Sequence, residues 1–223
     1  MNDRPSLVPL LHSLAMLALL AVLPLPSRAA EGLAPLAAAK FVEIPATKPL
    51  LDAIRAGGFV LYLRHGTTDN SRPDRVPAVD FADCSTQRPL TEDGRQLAAR
   101  VGEAIRKAGV PIGDISVSPL CRAKESAAAA FPERTFAVDD LLMYTANLTD
   151  GQKAPIIANT RRLLSTPVSP GVNRLIIAHA PNLMDLIGYF PKECTLVVFR
   201  PKGEGGFEYV SSIPPSLWPG LLN

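Results

Sequence analysis

Histidine is scarce in this chain, with three in 223 residues: His12, His65 and His179. Cysteine is equally sparse at three, which excludes a disulfide-dense miniprotein, and the spacing of Cys84, Cys121 and Cys194 matches no zinc-ligand pattern. Charge of either sign is nearly balanced: 23 Lys+Arg against 21 Asp+Glu leave +2. No bulk basic charge therefore argues for nucleic acid or an anionic membrane as the main partner. The sequence has no HExxH helix for a metal and no GxxxxGK[ST] loop to cradle a nucleotide, so neither metal-assisted hydrolysis nor nucleotide-dependent phosphoryl transfer has its usual frame. No internal repeat or linker divides it. What is abundant is apolar residue, 47%, and proline, 22 in all and spread along the chain. That is the composition of one globular domain with many stiff loops.

The N-terminus reads as an address. No charge occurs between Arg4 and Arg28, and residues 13–22 run SLAMLALLAV, the pattern of a secretory signal peptide. Ser27-Arg28-Ala29 offers small residues to a signal peptidase, so residues 1–29 are assigned as a cleaved leader. An uncleaved anchor is the alternative, since the uncharged stretch 5–27 is long enough to span a bilayer. Either way the expected location is periplasmic or secreted, with membrane contact only if the segment stays in place. Residues 30–47 are Ala/Pro-rich and read as a surface leader into a domain over 48–223. In an oxidising compartment one disulfide can form among the three cysteines; which pair, if any, is open, buried thiols being the alternative.

Within the domain, apolar runs alternate with helical patterns. Leu50, Leu51 and Ile54 share a helical face before Gly57-Gly58. Residues 59–63 (FVLYL) form a continuous apolar run, as expected for a strand buried on both faces. A polar loop follows from Gly66 to Pro89. Thr91 then caps a helix carrying Leu97, Val101, Ile105 and Ala108 on its inner side. Further strands are predicted at 115–117, 174–178, 195–199 and 207–213, the last at an edge. Helices are predicted at 122–130, 155–164 and through 183–187. The alternation predicts an α/β fold: three αβα layers around a mainly parallel central sheet.

With His12 in the leader, only His65 and His179 remain, and each directly follows an apolar strand. The carboxyl ends of strands in an open α/β sheet form the ligand crevice, so two distant histidines can face one another there. Arg64 precedes His65, and Gly66 after it permits close approach of a ligand. Arg122 sits just past a third strand end. Two arginines and two histidines on one rim make an anion pocket, and planar guanidinium forks suit a tetrahedral phosphoryl group. Arg88, in the loop over the pocket, is a candidate third positive charge.

Four ordered segments carry a resemblance. Leu63-Arg64-His65-Gly66-Thr67-Thr68 resembles the RHG signature of the histidine phosphatase (phosphoglycerate mutase-like) superfamily. Pro89-Leu90-Thr91-Glu92-Asp93-Gly94-Arg95 is similar to the segment that follows it. Ser118-Pro119-Leu120-Cys121-Arg122-Ala123, with Glu125-Ser126-Ala127, resembles the second arginine element, and Ala178-His179-Ala180-Pro181-Asn182 the second histidine element. The exported leader and residues 83–88 (DCSTQR) point to the small bacterial branch.

The resemblance implies a phosphoglycerate mutase-like fold and a phosphatase acting without cofactor or metal. His65 would be the nucleophile that holds the phosphoryl group, and Arg64, Arg122 and His179 would hold its oxygens. Thr68 and Asn182 are further phosphate-binding candidates. For the general acid, the position after the second histidine, aspartate in the larger branch, is Ala180 here. Asp69 is the leading candidate, with Glu125, Glu133, Asp83, Asp139, Asp140 and Glu193 behind it. The expected partner is a phosphorylated small molecule or a phosphorylated cell-envelope component, with no nucleic acid. A phosphomutase, or a phosphate- or partner-binding module of weak activity, are the competing readings.

Overall fold

The computed structural model describes residues 40–75 and 80–223. The predicted signal segment, residues 1–29, and residues 30–39 of the predicted leader lie outside the described residues. Among those described, no helix is long and apolar enough to cross a membrane.

Helix α1 (Lys48–Arg55) leads into β1 (Val60–Arg64), followed by α2 (Glu92–Lys107), β2 (Ile112–Val117), α3 (Cys121–Ala130) and β3 (Ala137–Val138). The second half runs α4 (Asp150–Ser165), β4 (Asn173–Ala178), α5 (Ala180–Ile187), β5 (Leu196–Pro201), β6 (Phe207–Ile213) and α6 (Trp218–Leu222). The sheet order is β3-β2-β4-β1-β5-β6. The first four are joined by parallel pairings, whereas β5 is antiparallel to both β1 and β6. One reversed strand thus sits inside an otherwise parallel sheet, and β6 forms an edge.

Alternation along the strands fills two cores. Leu61 and Leu63 of β1 pack with Val117, Leu175, Ile177, Leu196 and Val198 against α1, α2, α3 and α6. Val60 and Tyr62 face the other way, with Ile176, Ala178, Val197 and Phe199 against α4 and α5. Residues 60–63 are fully buried, which is why β1 reads as unbroken apolar sequence. Each such side chain contributes on the order of 2 kcal/mol.

Three boundaries differ from the sequence expectation, each for a physical reason. Helix α4 starts at Asp150, ahead of the predicted Pro155, because Thr149 and Gln152 form a capping box that satisfies the first-turn donors. Pro155 is carried inside the helix. Strand β3 is two exposed residues held by β2 alone, too short to register as a pattern. The leader residues 40–47 pack on the domain: Ile44 and Ala46 exchange backbone bonds with Ser212, and Phe41 stacks on Tyr189 at 4.3 Å.

Cys84 and Cys121 form a disulfide across 37 residues of sequence, and Cys194 is a buried free thiol. The bond ties the polar loop 66–89 to the first residue of α3. Chain-entropy arguments for a loop of that length give about 4 kcal/mol. The paired Cys84→Ser/Cys121→Ser variant is therefore expected to lose unfolding free energy of that order in urea titration. Native protein should show no thiol reactive to Ellman's reagent until it is unfolded, and then one.

Candidate active site

Strand register assembles the site. Arg64 of β1 pairs with Ala178 of β4, so the next residues along two parallel neighbours are His65 and His179. Backbone bonds extend the ladder past the strand ends: His65 N–H donates to Ala178 O at 3.1 Å and Ser118 N–H to Ile177 O at 3.0 Å. The two imidazoles lie 5.1 Å apart between ring centres, inclined by 62°. Both are almost completely buried.

The loop that carries His65 owes its path to missing side chains. A Cβ on Gly66 would meet the carbonyl oxygen of Gly94 at 2.3 Å, and one on Gly94 would meet that of Thr67 at 2.2 Å. Gly66 thus serves the approach of the first turn of α2, where the sequence suggested the approach of a ligand. Gly66 N–H donates to Ser126 Oγ at 3.0 Å, and that hydroxyl donates to Arg122 O at 2.7 Å. The loop carrying His65 is therefore fastened to the helix carrying Arg122.

Hydrogen bonding places the proton of the His65 imidazole. His65 Nδ1 lies 2.7 Å from Gly66 O. A carbonyl only accepts, so the proton sits on Nδ1 and the Nε2 lone pair is left free. Burial, then the charges of Arg122, Arg64 and Arg88, push His65 well below the ordinary value of 6.5; the bond to Gly66 only partly opposes them. His179 is lowered in the same way, by burial first and then by Arg122, His65, Arg88 and Arg64. Its Nε2 lies 2.7 Å from Ser118 Oγ, which already accepts from Leu120 N–H at 3.4 Å. A hydroxyl has one proton and two lone pairs, so this contact is compatible with either neutral tautomer of His179. Tyr62 holds the backbone at this residue, its hydroxyl accepting from His179 N–H at 3.0 Å and donating to His179 O at 2.8 Å.

Three guanidiniums surround this pair. Arg122, fully buried in the first turn of α3, gives its Nη1 and Nη2 to Asp74 at 2.8 and 3.2 Å. Arg64 gives Nη1 to Pro191 O at 2.6 Å and Nη2 to Glu193 at 2.7 Å. Arg88 gives Nη1 to Asn70 at 3.1 Å. Burial lowers Arg64 and Arg122 from the usual guanidinium value, against the pull of Glu193 and Asp74 respectively. Tyr144 forms one wall, with its ring centre 5.2 Å from the Arg122 guanidinium, 5.9 Å from that of Arg88 and 5.6 Å from the His179 ring.

Among the described residues, the buried side-chain nitrogens without a partner are the Nε of Arg64, Arg88 and Arg122, the Nδ1 of His179 and the indole nitrogen of Trp218. Trp218 belongs to α6; the other four belong to this cluster. Unpaired buried polar nitrogens are costly and uncommon, and three guanidinium Nε–H groups left in this state beside two imidazoles suit an oxyanion.

The other candidates lie as follows. Asn182 is buried, its Nδ2 donating to Met143 O at 3.0 Å and Leu142 O at 3.4 Å, which fixes the segment leading to Tyr144; its Oδ1 is unpartnered. Thr68 is half-buried and bridges to Leu90 through its backbone. Asp69 accepts from the Ser71 backbone and hydroxyl at 2.9 and 2.7 Å, and these bonds hold its carboxyl below the usual range. That geometry closes a turn and ill suits proton delivery. Glu125 pairs with Arg95, Asp83 and Asp139 cap short helical turns, Glu133 and Asp140 are exposed, and Glu193 holds Arg64. Among the described residues no three His, Cys, Asp or Glu side chains group as a metal site.

Sequence reasoning did not single out Asp74, Tyr144 or the positioning role of Ser118. Asp74 and Tyr144 lie in irregular segments without periodicity, and only tertiary contacts reveal them. The Gly66–Gly94 contact has a direct consequence. Gly94→Ala should displace the His65 loop and cost roughly 1–3 kcal/mol of stability, measured by urea unfolding, with weakened binding of inorganic phosphate in calorimetry.

A family model for the histidine phosphatase superfamily (branch 1) matches residues 60–142. No curated protein matches the chain. Among solved structures, the chain is similar to the protein histidine phosphatase SixA complexed with tungstate, at 18% identity over 71% of this chain and 97% of that one, with a TM-score of 0.48. It is also similar to a putative alpha-ribazole-5'-P phosphatase from Escherichia coli str. K-12, at 14% identity over 70% and 97% and a TM-score of 0.47. A mycobacterial glucosyl-3-phosphoglycerate phosphatase in complex with VO3 is 15% identical over 70% and 98%, with a TM-score of 0.47. The family match begins on the strand that delivers His65, takes in Arg64, Asp74, Arg88 and Arg122, and ends just before Tyr144, so this stretch of the chain is similar to the histidine phosphatase superfamily.

Proposed function

We propose that the protein is a phosphatase that hydrolyses phosphomonoesters or phosphoramidates through a phosphohistidine on His65. The observation that carries this reading is a free Nε2 lone pair on His65 in the same buried cluster as three arginines whose Nε–H groups have no partner. A phosphoryl group docks by its non-bridging oxygens on the Nε–H of Arg64, Arg88 and Arg122, beside the His179 imidazole. The His65 Nε2 lone pair attacks phosphorus, an N–P bond forms, and the bond to the leaving oxygen or nitrogen breaks with its electron pair. Water then attacks phosphorus, the N–P bond breaks back onto Nε2, and inorganic phosphate leaves with the proton balance returned to solvent. The donors stabilise charge spread over the equatorial oxygens in both steps. No step is assigned to a metal.

Both carboxylates in the hydrogen-bonded set of the pocket, Asp74 and Glu193, are engaged by guanidiniums. Such carboxylates are suited to fixing cations more than to protonating a leaving group. Substrates with good leaving groups, such as acyl phosphates, aryl phosphates and phosphohistidine, whose imidazole ring takes its proton from solvent before it departs, are therefore the proposed class in preference to alkyl phosphates. The apolar N-terminal segment supports export, so a periplasmic or secreted setting and a phosphorylated cell-envelope component or small molecule are proposed with it.

Acid-labile phosphoenzyme should be trapped from an aryl phosphate by rapid quench. His65→Ala should abolish it and cut turnover by at least about a thousandfold, the scale seen when a nucleophile is removed. Tight phosphate binding with no turnover on any aryl phosphate would instead support a binding module. EDTA should leave the rate unchanged. Because His65 is lowered, its neutral form persists as pH falls through 6.5. The acid limb of kcat/KM, corrected for substrate ionisation, should lie below 6.5, and a limb at or above that value would contradict the buried neutral nucleophile. Mass spectrometry of protein recovered from the exporting cell should find the mature N-terminus near Ala30.

A further inference from the structure

Arg122 is the one guanidinium among the described residues with no exposed surface, and a buried cation needs a counter-charge. Asp74 provides it, with a side chain only 6% exposed and a two-pronged contact to Nη1 and Nη2. Two roles fit a carboxylate in such a place. It could occupy the space an anionic ligand needs and be expelled by it, or it could hold the far end of the arginine so that the near end meets the ligand.

The geometry favours the second. All three arginines of the pocket share one arrangement, with an Nη group engaged by an acceptor and Nε left unpaired. For Arg64 and Arg88 the acceptors include a backbone carbonyl of Pro191 and the amide oxygen of Asn70, neither of which mimics an oxyanion. Asp74 is also built into its own loop, since its Oδ1 accepts from Arg88 N–H at 2.8 Å. That loop is fastened to α3 by the Cys84–Cys121 disulfide, by Cys121 N–H donating to Gln87 Oε1 at 2.7 Å, and by Lys124 donating to Phe81 O at 3.2 Å. A carboxylate tied at so many points is a fixture, not a swinging plug.

We propose that Asp74 is a positioning residue for the phosphoryl site: it clasps both Nη groups of Arg122 from the loop side and commits the Nε–H edge to the ligand. The proposal rests on the phosphatase reading for the identity of the ligand as a phosphoryl group. Asp74 itself touches only Arg122 and the Arg88 backbone in this arrangement, and acts through them.

The test compares wild type, Asp74→Ala, Asp74→Asn, Arg122→Ala and the Asp74→Ala/Arg122→Ala pair. Inorganic phosphate binding is read by calorimetry, and kcat and KM on p-nitrophenyl phosphate by steady-state kinetics. Asp74→Ala should raise the phosphate Kd and the KM, together lowering kcat/KM about a hundredfold, as expected when a catalytic group is misplaced by an ångström. Asp74→Asn keeps one acceptor oxygen and should lose roughly tenfold, the scale of one charged hydrogen bond. In the Arg122→Ala background the Asp74→Ala change should cost at least about tenfold less than in wild type, the remainder being what Asp74 contributes through the Arg88 backbone, and an equal cost in both backgrounds would mark a merely structural role. Unchanged or tighter phosphate binding in both Asp74 variants overturns the proposal, and tighter binding identifies the carboxylate as a plug. If Asp74→Ala does not fold, the near-isosteric Asp74→Asn carries the comparison alone. Should wild type turn over no aryl phosphate, or His65→Ala keep full activity, the phosphatase reading fails, while phosphate binding still reports on Asp74.

Discussion

Three guanidiniums gathered around two buried imidazoles repel one another, and every one of them loses hydration in the gathering. That mutual repulsion is the constraint the rest of the pocket answers. Burial first, and then the charge of the guanidiniums, pushes His65 and His179 well below the ordinary imidazole value, and the repulsion demands an acceptor for the outer part of each arginine. Glu193 and Pro191 O meet that demand for Arg64, Asn70 for Arg88 and Asp74 for Arg122. What remains unbalanced is an inward set of N–H donors, and a tetrahedral oxyanion is the ligand that relieves it. The same positive field that makes charging the histidines costly therefore makes binding a phosphoryl group favourable.

Holding such a cluster together requires rigid supports, and they come from both layers. Parallel neighbours β1 and β4 bring the histidines side by side by register alone. Cys194, at a φ of 52°, donates its backbone N–H to both Arg64 O and His65 O at 3.2 and 3.3 Å, bracing the nucleophile from the strand side. Burial pushes its thiol up to about 12, so it stays an inert packing group. From the other side the disulfide anchors the loop that supplies Asn70, Asp74 and Arg88. Covalent and polar fasteners hold its described residues to α3.

Much of this is legible in the order of the residues. Unbroken apolar runs mark β1 and β4 because both faces of those strands are covered, and a histidine directly after each run marks their shared end of the sheet. Arg122 and the helix it starts are equally plain from the resemblance. The antiparallel insertion of β5 is not, because a strand buried on both faces reads the same in either direction. The start of α4 is obscured by Pro155, since the capping box at Thr149 and Gln152 outweighs the bond the proline forgoes. Asp69 stands out by its closeness to the nucleophile in sequence, yet it is turned aside by Ser71. Asp74, five residues on, makes the contact that matters because the loop folds back over α3.

The amino-acid sequence by itself determined the layers of the fold and the strand ends that carry the histidines, since hydrophobic periodicity and residue type are local properties. Tertiary structure alone decided which cysteines pair, which nitrogen of the His65 imidazole holds its proton, and which carboxylate faces which arginine. Those depend on groups distant in the chain meeting in a dry interior, where a hydrogen bond or a counter-charge is worth far more than in water and no local pattern records the meeting.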